Sequence, residues 1–174
     1  MSPIELDAAV RRLRDLAVER GAAAARPIPP LSVVTAEWVR LKCQYGCGTY
    51  GRRLTCPPHS PAPSVTRKAL DDYTHAILLH LPQDWVRLRE TTAWLEREAF
   101  LMGFHKAFAM PAGPCHLCET CSLQRPCAHP DQARPSMEAC GIDVYRTARN
   151  AGFSIEVVRS RDCTASYFSL LLVE

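Results

Sequence analysis

No apolar run in this chain approaches the roughly 20 residues that a membrane-spanning helix needs. The longest, Ala76 to Leu81, is strand-sized. The N-terminus carries charge throughout and has no apolar h-region, so it does not read as a secretory signal. Internal repeats and low-complexity tails are missing, as is any sign of a second core. So are a Ser-His-Asp arrangement, a phosphate-binding glycine loop and a zinc-protease helix. A large excess of one charge is also missing. Lys and Arg number 21 and Asp and Glu 18, a formal balance of +3, which is weak support for a nucleic-acid partner. These absences lead us to expect a cytoplasmic globular protein, with neither nucleic acid nor membrane as partner.

Cysteine, by contrast, is abundant. The chain has 174 residues, enough to bury a core without disulfide staples, yet it has nine cysteines. In a reducing compartment thiols stay free, so their clustering argues for metal. Cys115, Cys118, Cys121 and Cys127 follow the spacing C-x2-C-x2-C-x5-C. Three thiolates two residues apart wrap naturally around a four-iron cube, as in bacterial ferredoxins. Structural zinc more often uses two short knuckles far apart in sequence. Iron–sulfur, as one or two 4Fe-4S clusters, is therefore the leading cofactor and zinc the alternative. A zinc-stabilised interaction module is the functional reading that goes with zinc.

A second group, Cys43, Cys47 and Cys56, lies in a glycine-rich stretch that ends Cys56-Pro57-Pro58. The ferredoxin run also ends on a Cys-Pro pair. Seven loop cysteines are one short of the eight that two closed cubanes need. Either Cys140 or Cys163 supplies the last, or one iron is left without a cysteine. Cys140 is a possible ligand, but it falls on the inward face of a helical pattern, where a buried thiol packs as a small apolar residue. An open iron separates an enzyme that binds substrate from an electron-transfer or redox protein.

The order of three motifs resembles a bacterial and archaeal family of predicted metal-binding proteins. They are "KC…C…YG…CPP", then "GPCHLCETC…C…P", then "RPSMEACGIDV", and the resemblance runs from about Arg40 to Gly152. It implies a metal, iron–sulfur before others, held by Cys43, Cys47, Cys56, Cys115, Cys118, Cys121 and Cys127. It implies no activity.

Other residues read less sharply. Arg40, Lys42, Arg52 and Arg53 flank the first cysteine group, and Arg125 and Arg134 the second. They suit either compensation of a negative cluster or docking of a small anionic ligand or redox partner protein. His59, His116 and His129 sit near cysteines, but histidine ligation of the Rieske kind needs a pair on one iron. Asp143 fits a helix surface or a contact to the cluster loop.

The expected fold is α/β or α+β, a single domain with helices packed on a small sheet and the cysteine-rich metal loops at one edge. Residues 1–30 read as an N-terminal helix and connector, and 31–174 as the core with both cysteine loops. Ser2 to Glu5 is a capping box, followed by the stripe Leu6, Val10, Leu13, Ala17. Residues 31–41 read as a strand, 64–73 as a helix and 75–81 as a buried strand. Asp84 caps a helix that Gly103 ends. Residues 104–110 read as a strand, 136–150 as a helix capped by Ser136, and 153–158 with 167–174 as a terminal hairpin.

Overall fold

The computed structural model describes residues 2–160 and 162–174. The first helix, α1 (Pro3–Glu19), starts on the expected capping box, and Val10, Leu13 and Ala17 are buried. The proline-containing connector is a strand, β1 (Ala24–Ile28). It pairs antiparallel with β2 (Ala76–Pro82) and lies at the sheet edge, where Pro27 has no second neighbour to bond. The chain then forms a 3-10 turn (Pro30–Ser32), α2 (Trp38–Gly46) and α3 (Pro63–Leu70).

After β2 comes α4 (Trp85–Leu101), whose N-cap Asp84 accepts a hydrogen bond from the Arg87 N–H at 2.9 Å. Asp84→Ala is expected to cost about 1 kcal/mol, the usual value of such a cap, read as a lower urea midpoint at unchanged slope. Then follow β3 (Phe108–Met110), α5 (Val144–Asn150) and β4 (Ser166–Leu172). The four strands form one antiparallel sheet in the order β1-β2-β4-β3, and the fold is α+β.

Apolar residues cover both faces of this sheet. Ile77, Leu79 and Leu171 pack with Leu13, Leu88 and Leu95 under α1 and α4. Leu78, Leu170 and Leu172 pack on the opposite side with Leu70, Met137, Cys140 and Ala148. That two-sided burial is why β2 reads as an unbroken apolar run rather than as an alternating one.

The strand expected over 104–110 is confined to Phe108–Met110, and three further sequence expectations change. Residues 31–41 are not a strand. Only Thr35 keeps strand character, as an isolated bridge to Ile142, and Trp38 onward is helical. The helix expected over 136–150 is broken. A 3-10 turn (Glu138–Cys140) ends at Gly141 with φ +75°, where a Cβ would come within 2.3 Å of Pro63 Cγ. Asp143, not Ser136, then caps α5 by accepting from the Arg146 N–H at 3.0 Å. Residues 153–158 form no strand. β4 pairs with β2 along its whole length and with β3 over Leu170–Leu172, and residues 153–158 join neither side. Arg161, in the expected hairpin tip, lies outside the described residues.

Candidate metal centre

The four-cysteine loop leaves the edge strand β3. The Ala112 N–H donates to Ser169 Oγ at 2.8 Å, which ties the loop's start to β4. Gly113 follows with φ +65°, where a Cβ would lie 2.5 Å from Trp85 Cε3. From the second turn of α4, Arg89 reaches under this neck and is 3% exposed. Its guanidinium donates to the carbonyls of Ala112 (3.4 Å) and Gly113 (2.8 Å), and to that of Arg134 on the returning strand of the loop. About two turns further along α4, Glu96 accepts from Arg134 Nη2 at 2.6 Å and from the Ala109 N–H at 2.6 Å. Arg134 Nη1 in turn donates to the carbonyls of Pro130 and Ala133, at 2.9 and 3.0 Å. Two side chains of one helix therefore pin both ends of the cysteine loop.

Inside that clamp, Cys115, Cys118, Cys121 and Cys127 line one small cavity of about 20 Å³. Backbone N–H groups point at two of the sulfurs. Leu54 N donates to Cys121 Sγ and His129 N to Cys127 Sγ, each at 3.4 Å. Arg53 donates to the Cys118 carbonyl at 3.0 Å. Thr55 also lines the cavity, and its buried Oγ1 has no protein partner. Among the described residues, no three His, Cys, Asp or Glu side chains stand as a ready-made ion site. The fit to a metal rests on donor chemistry: four soft thiols on one cavity, backbone N–H groups on two of them, a guanidinium lining the same cavity, and an unpartnered hydroxyl beside them.

The first cysteine group forms a separate site next to this one. Cys43 lies on α2 rather than in a loop after a strand, and Cys47 ends that helix. Thr49 Oγ1 sits between Cys47 Sγ (3.1 Å) and Cys56 Sγ (3.5 Å). The Cys43 thiol faces the Glu138 carbonyl at 3.9 Å. Burial, reinforced by Cys47, pushes that thiol up to about 11. These three cysteines open onto a second, larger cavity of about 500 Å³. The two groups touch through Arg53 and Leu54, and Arg89 lies within electrostatic reach of both Cys115 and Cys56. The seven sulfurs thus fall into adjoining sets of four and three.

Cys140 lines neither cavity. It is fully buried in the core, its carbonyl accepts from Thr66 Oγ1 at 2.7 Å, and burial pushes its thiol up to about 12. Cys163 is exposed, with Ser160 Oγ at 3.4 Å. His129 borders the four-cysteine cavity. His116 faces Glu90 at 3.8 Å, and its buried Nδ1 has no partner. His59 borders neither cavity. Arg40 donates to Ser60 Oγ and to the carbonyls of Pro61 and Ala139.

Reading the sequence passed over Arg89, Glu96 and Thr55. A signal for the first two was present. Trp85, Leu88, Thr92, Leu95 and Ala99 form the inward stripe of α4, and Arg89 and Glu96 lie on its flank with opposite charges. Charged residues at the border of a buried stripe are expected to have fixed partners.

No curated protein and no solved structure matches this chain. A family model does match, over residues 26–173, and by that match the chain belongs to the family described as predicted metal-binding protein (DUF2284).

Proposed function

We propose that the protein holds an iron–sulfur cluster of the 4Fe-4S type on Cys115, Cys118, Cys121 and Cys127 and serves a redox role in the cytoplasm, passing electrons to or from a partner protein. One observation carries this reading. All four cysteines of the C-x2-C-x2-C-x5-C run border one cavity, which Arg53 also lines, and backbone N–H groups donate to two of the four sulfurs. A bound cluster supplies one-electron redox chemistry, and hydrogen bonds to its sulfurs raise the reduction potential. The chain's own residues do the rest. Leu54 and His129 offer N–H groups to sulfur, Arg89 and Arg53 offset negative charge, and α4 keeps the loop closed. Nine free cysteines suit a reducing compartment. Among the described residues, no helix is long and apolar enough to cross a membrane.

A second reading has its own observation. The cavity at Cys43, Cys47 and Cys56 has about 500 Å³, within the roughly 300–1,000 Å³ of small-molecule sites. A three-cysteine centre with an open metal position facing such a cavity suits an enzyme better than an electron carrier.

Anaerobic purification followed by iron and acid-labile sulfide counting tests the main reading. The expected protein is brown, with broad absorption near ~400 nm and about four irons and four sulfides per filled site. Colourless protein carrying zinc would overturn it in favour of a zinc-stabilised module, because d¹⁰ zinc gives no such band.

A further inference from the structure

Two threonine hydroxyls stand among the cysteines, and cysteine spacing requires neither. The first belongs to Thr49. Its Oγ1 lies 3.1 Å from Cys47 Sγ and 3.5 Å from Cys56 Sγ, so at the three-cysteine site a hydroxyl already meets sulfur. The second belongs to Thr55, which lines the four-cysteine cavity with Cys115, Cys118, Cys121 and Cys127. Its Oγ1 is shielded from solvent and has no hydrogen-bond partner in the protein. A buried hydroxyl in that position has given up its hydration for nothing, so such groups are rare and call for a reason.

The neighbours of Thr55 in the chain show what this stretch does. The Leu54 N–H donates to Cys121 Sγ at 3.4 Å, and Arg53 Nη1 donates to the Cys118 carbonyl at 3.0 Å. The Cys56 N–H closes a turn onto the Arg53 carbonyl at 3.0 Å, with Leu54 and Thr55 between them. Thr55 is thus held in a turn whose preceding members are fastened to the four-cysteine loop. Among the other side chains on this cavity, Leu54, Leu117 and Ala133 are apolar and Arg53 can only donate. That leaves the sulfurs and the His129 ring as acceptors. Thiolates carry charge, and hydrogen bonds to charged acceptors are the stronger ones.

We propose that the Thr55 hydroxyl donates a hydrogen bond to a sulfur of the metal group held by Cys115, Cys118, Cys121 and Cys127, and thereby tunes that group. The inference rests on the metal reading of this site, and its electrochemical form rests on the iron–sulfur reading. The sign follows from charge. Reduction makes the group more negative, so a donor to sulfur stabilises the reduced form more and raises the potential.

Redox titration of anaerobic wild-type, Thr55→Val, Thr55→Ser and Thr55→Ala proteins tests it, with iron, zinc and acid-labile sulfide counted in each sample. Thr55→Val removes the hydroxyl and keeps the shape. The Ser and Ala variants make the same comparison without the methyl, and they decide the matter if the Val variant does not fold. The reduction equilibrium constant is expected to fall about tenfold in the Val and Ala variants, a midpoint lower by about 59 mV for one electron. Thr55→Ser should stay with wild type. Metal lost from the Val and Ala variants but kept by Ser would also support the hydroxyl. A fully loaded Val or Ala variant at the wild-type potential, or a Ser variant lowered as far as Ala, would overturn the proposal while leaving the iron–sulfur reading in place. Colourless zinc protein would remove the iron–sulfur reading, and chelator competition would then decide on Thr55. Zinc held about tenfold more weakly by the Val and Ala variants than by Thr and Ser would support the donor, and equal affinities would overturn it.

Discussion

Cys121→Ala is expected to abolish metal retention at the four-cysteine site. Mutating outer partners of metal sites typically costs roughly 10–100-fold in affinity, and losing a ligand should cost more than that. The loss reaches folding too. The loop from Pro114 to Pro130 has no helix or strand of its own, so metal binding is expected to supply much of its order. Metal per chain and the thermal midpoint should therefore fall together, and a strong chelator should bring the wild-type midpoint toward that of the variant. Cys140→Ala is the contrast. That thiol is buried in the core away from both cavities, so the variant should lose stability on the order of 1 kcal/mol through a small void while keeping its full metal content. Unchanged metal in Cys121→Ala, or lost metal in Cys140→Ala, would sink the assignment of ligands.

Glu96→Ala is expected to damage both stability and the metal site. The Glu96–Arg134 pair is well shielded, with side-chain exposures of 14% and 18%. Removing one partner of a buried pair leaves an uncompensated charge and costs about 3–5 kcal/mol. The Ala109 N–H would lose its acceptor as well. The damage should be both global and local, because Arg134 would no longer tie the carbonyls of Pro130 and Ala133 to α4. Metal affinity should fall by roughly 10–100-fold, as for other outer-shell losses. The pair Arg12–Glu19 on α1 provides the control, with exposures of 55% and 60%. Arg12→Ala should cost under about 1 kcal/mol and leave metal binding alone. A Glu96→Ala protein with wild-type metal affinity would show that the clamp does not shape the site.

Local signals served well where one interaction range decided the outcome. The capping box of α1, the Asp84 cap of α4 and the apolar runs of β2 and β4 all depend on neighbours a few residues away, and they form where the sequence places them. The errors arose where long-range contacts overrode a local preference. Val33 and Val34 have strand chemistry, but their backbone is taken up by Pro30, Thr147 and Asp143 rather than by a sheet neighbour, and Thr35 keeps only an isolated bridge to Ile142. The turn at Gly141 breaks an otherwise continuous helical pattern because Pro63 packs against it.

The sequence by itself determined the metal chemistry that is expected, since soft thiols at close spacing restrict the choice wherever they lie in the fold. It also determined most helices and strands, since period and caps are local properties. Only the tertiary structure decided how the seven cysteines divide. The path of α2 carries Cys43 toward Glu138 and the aromatic walls of β4, while α4 clamps the other four beside Thr55. Spacing along a chain does not encode which distant helix supplies a counter-charge or which strand closes a cavity. Those depend on the packing of both sheet faces, and that packing brought Arg89 within electrostatic reach of both sets of sulfurs.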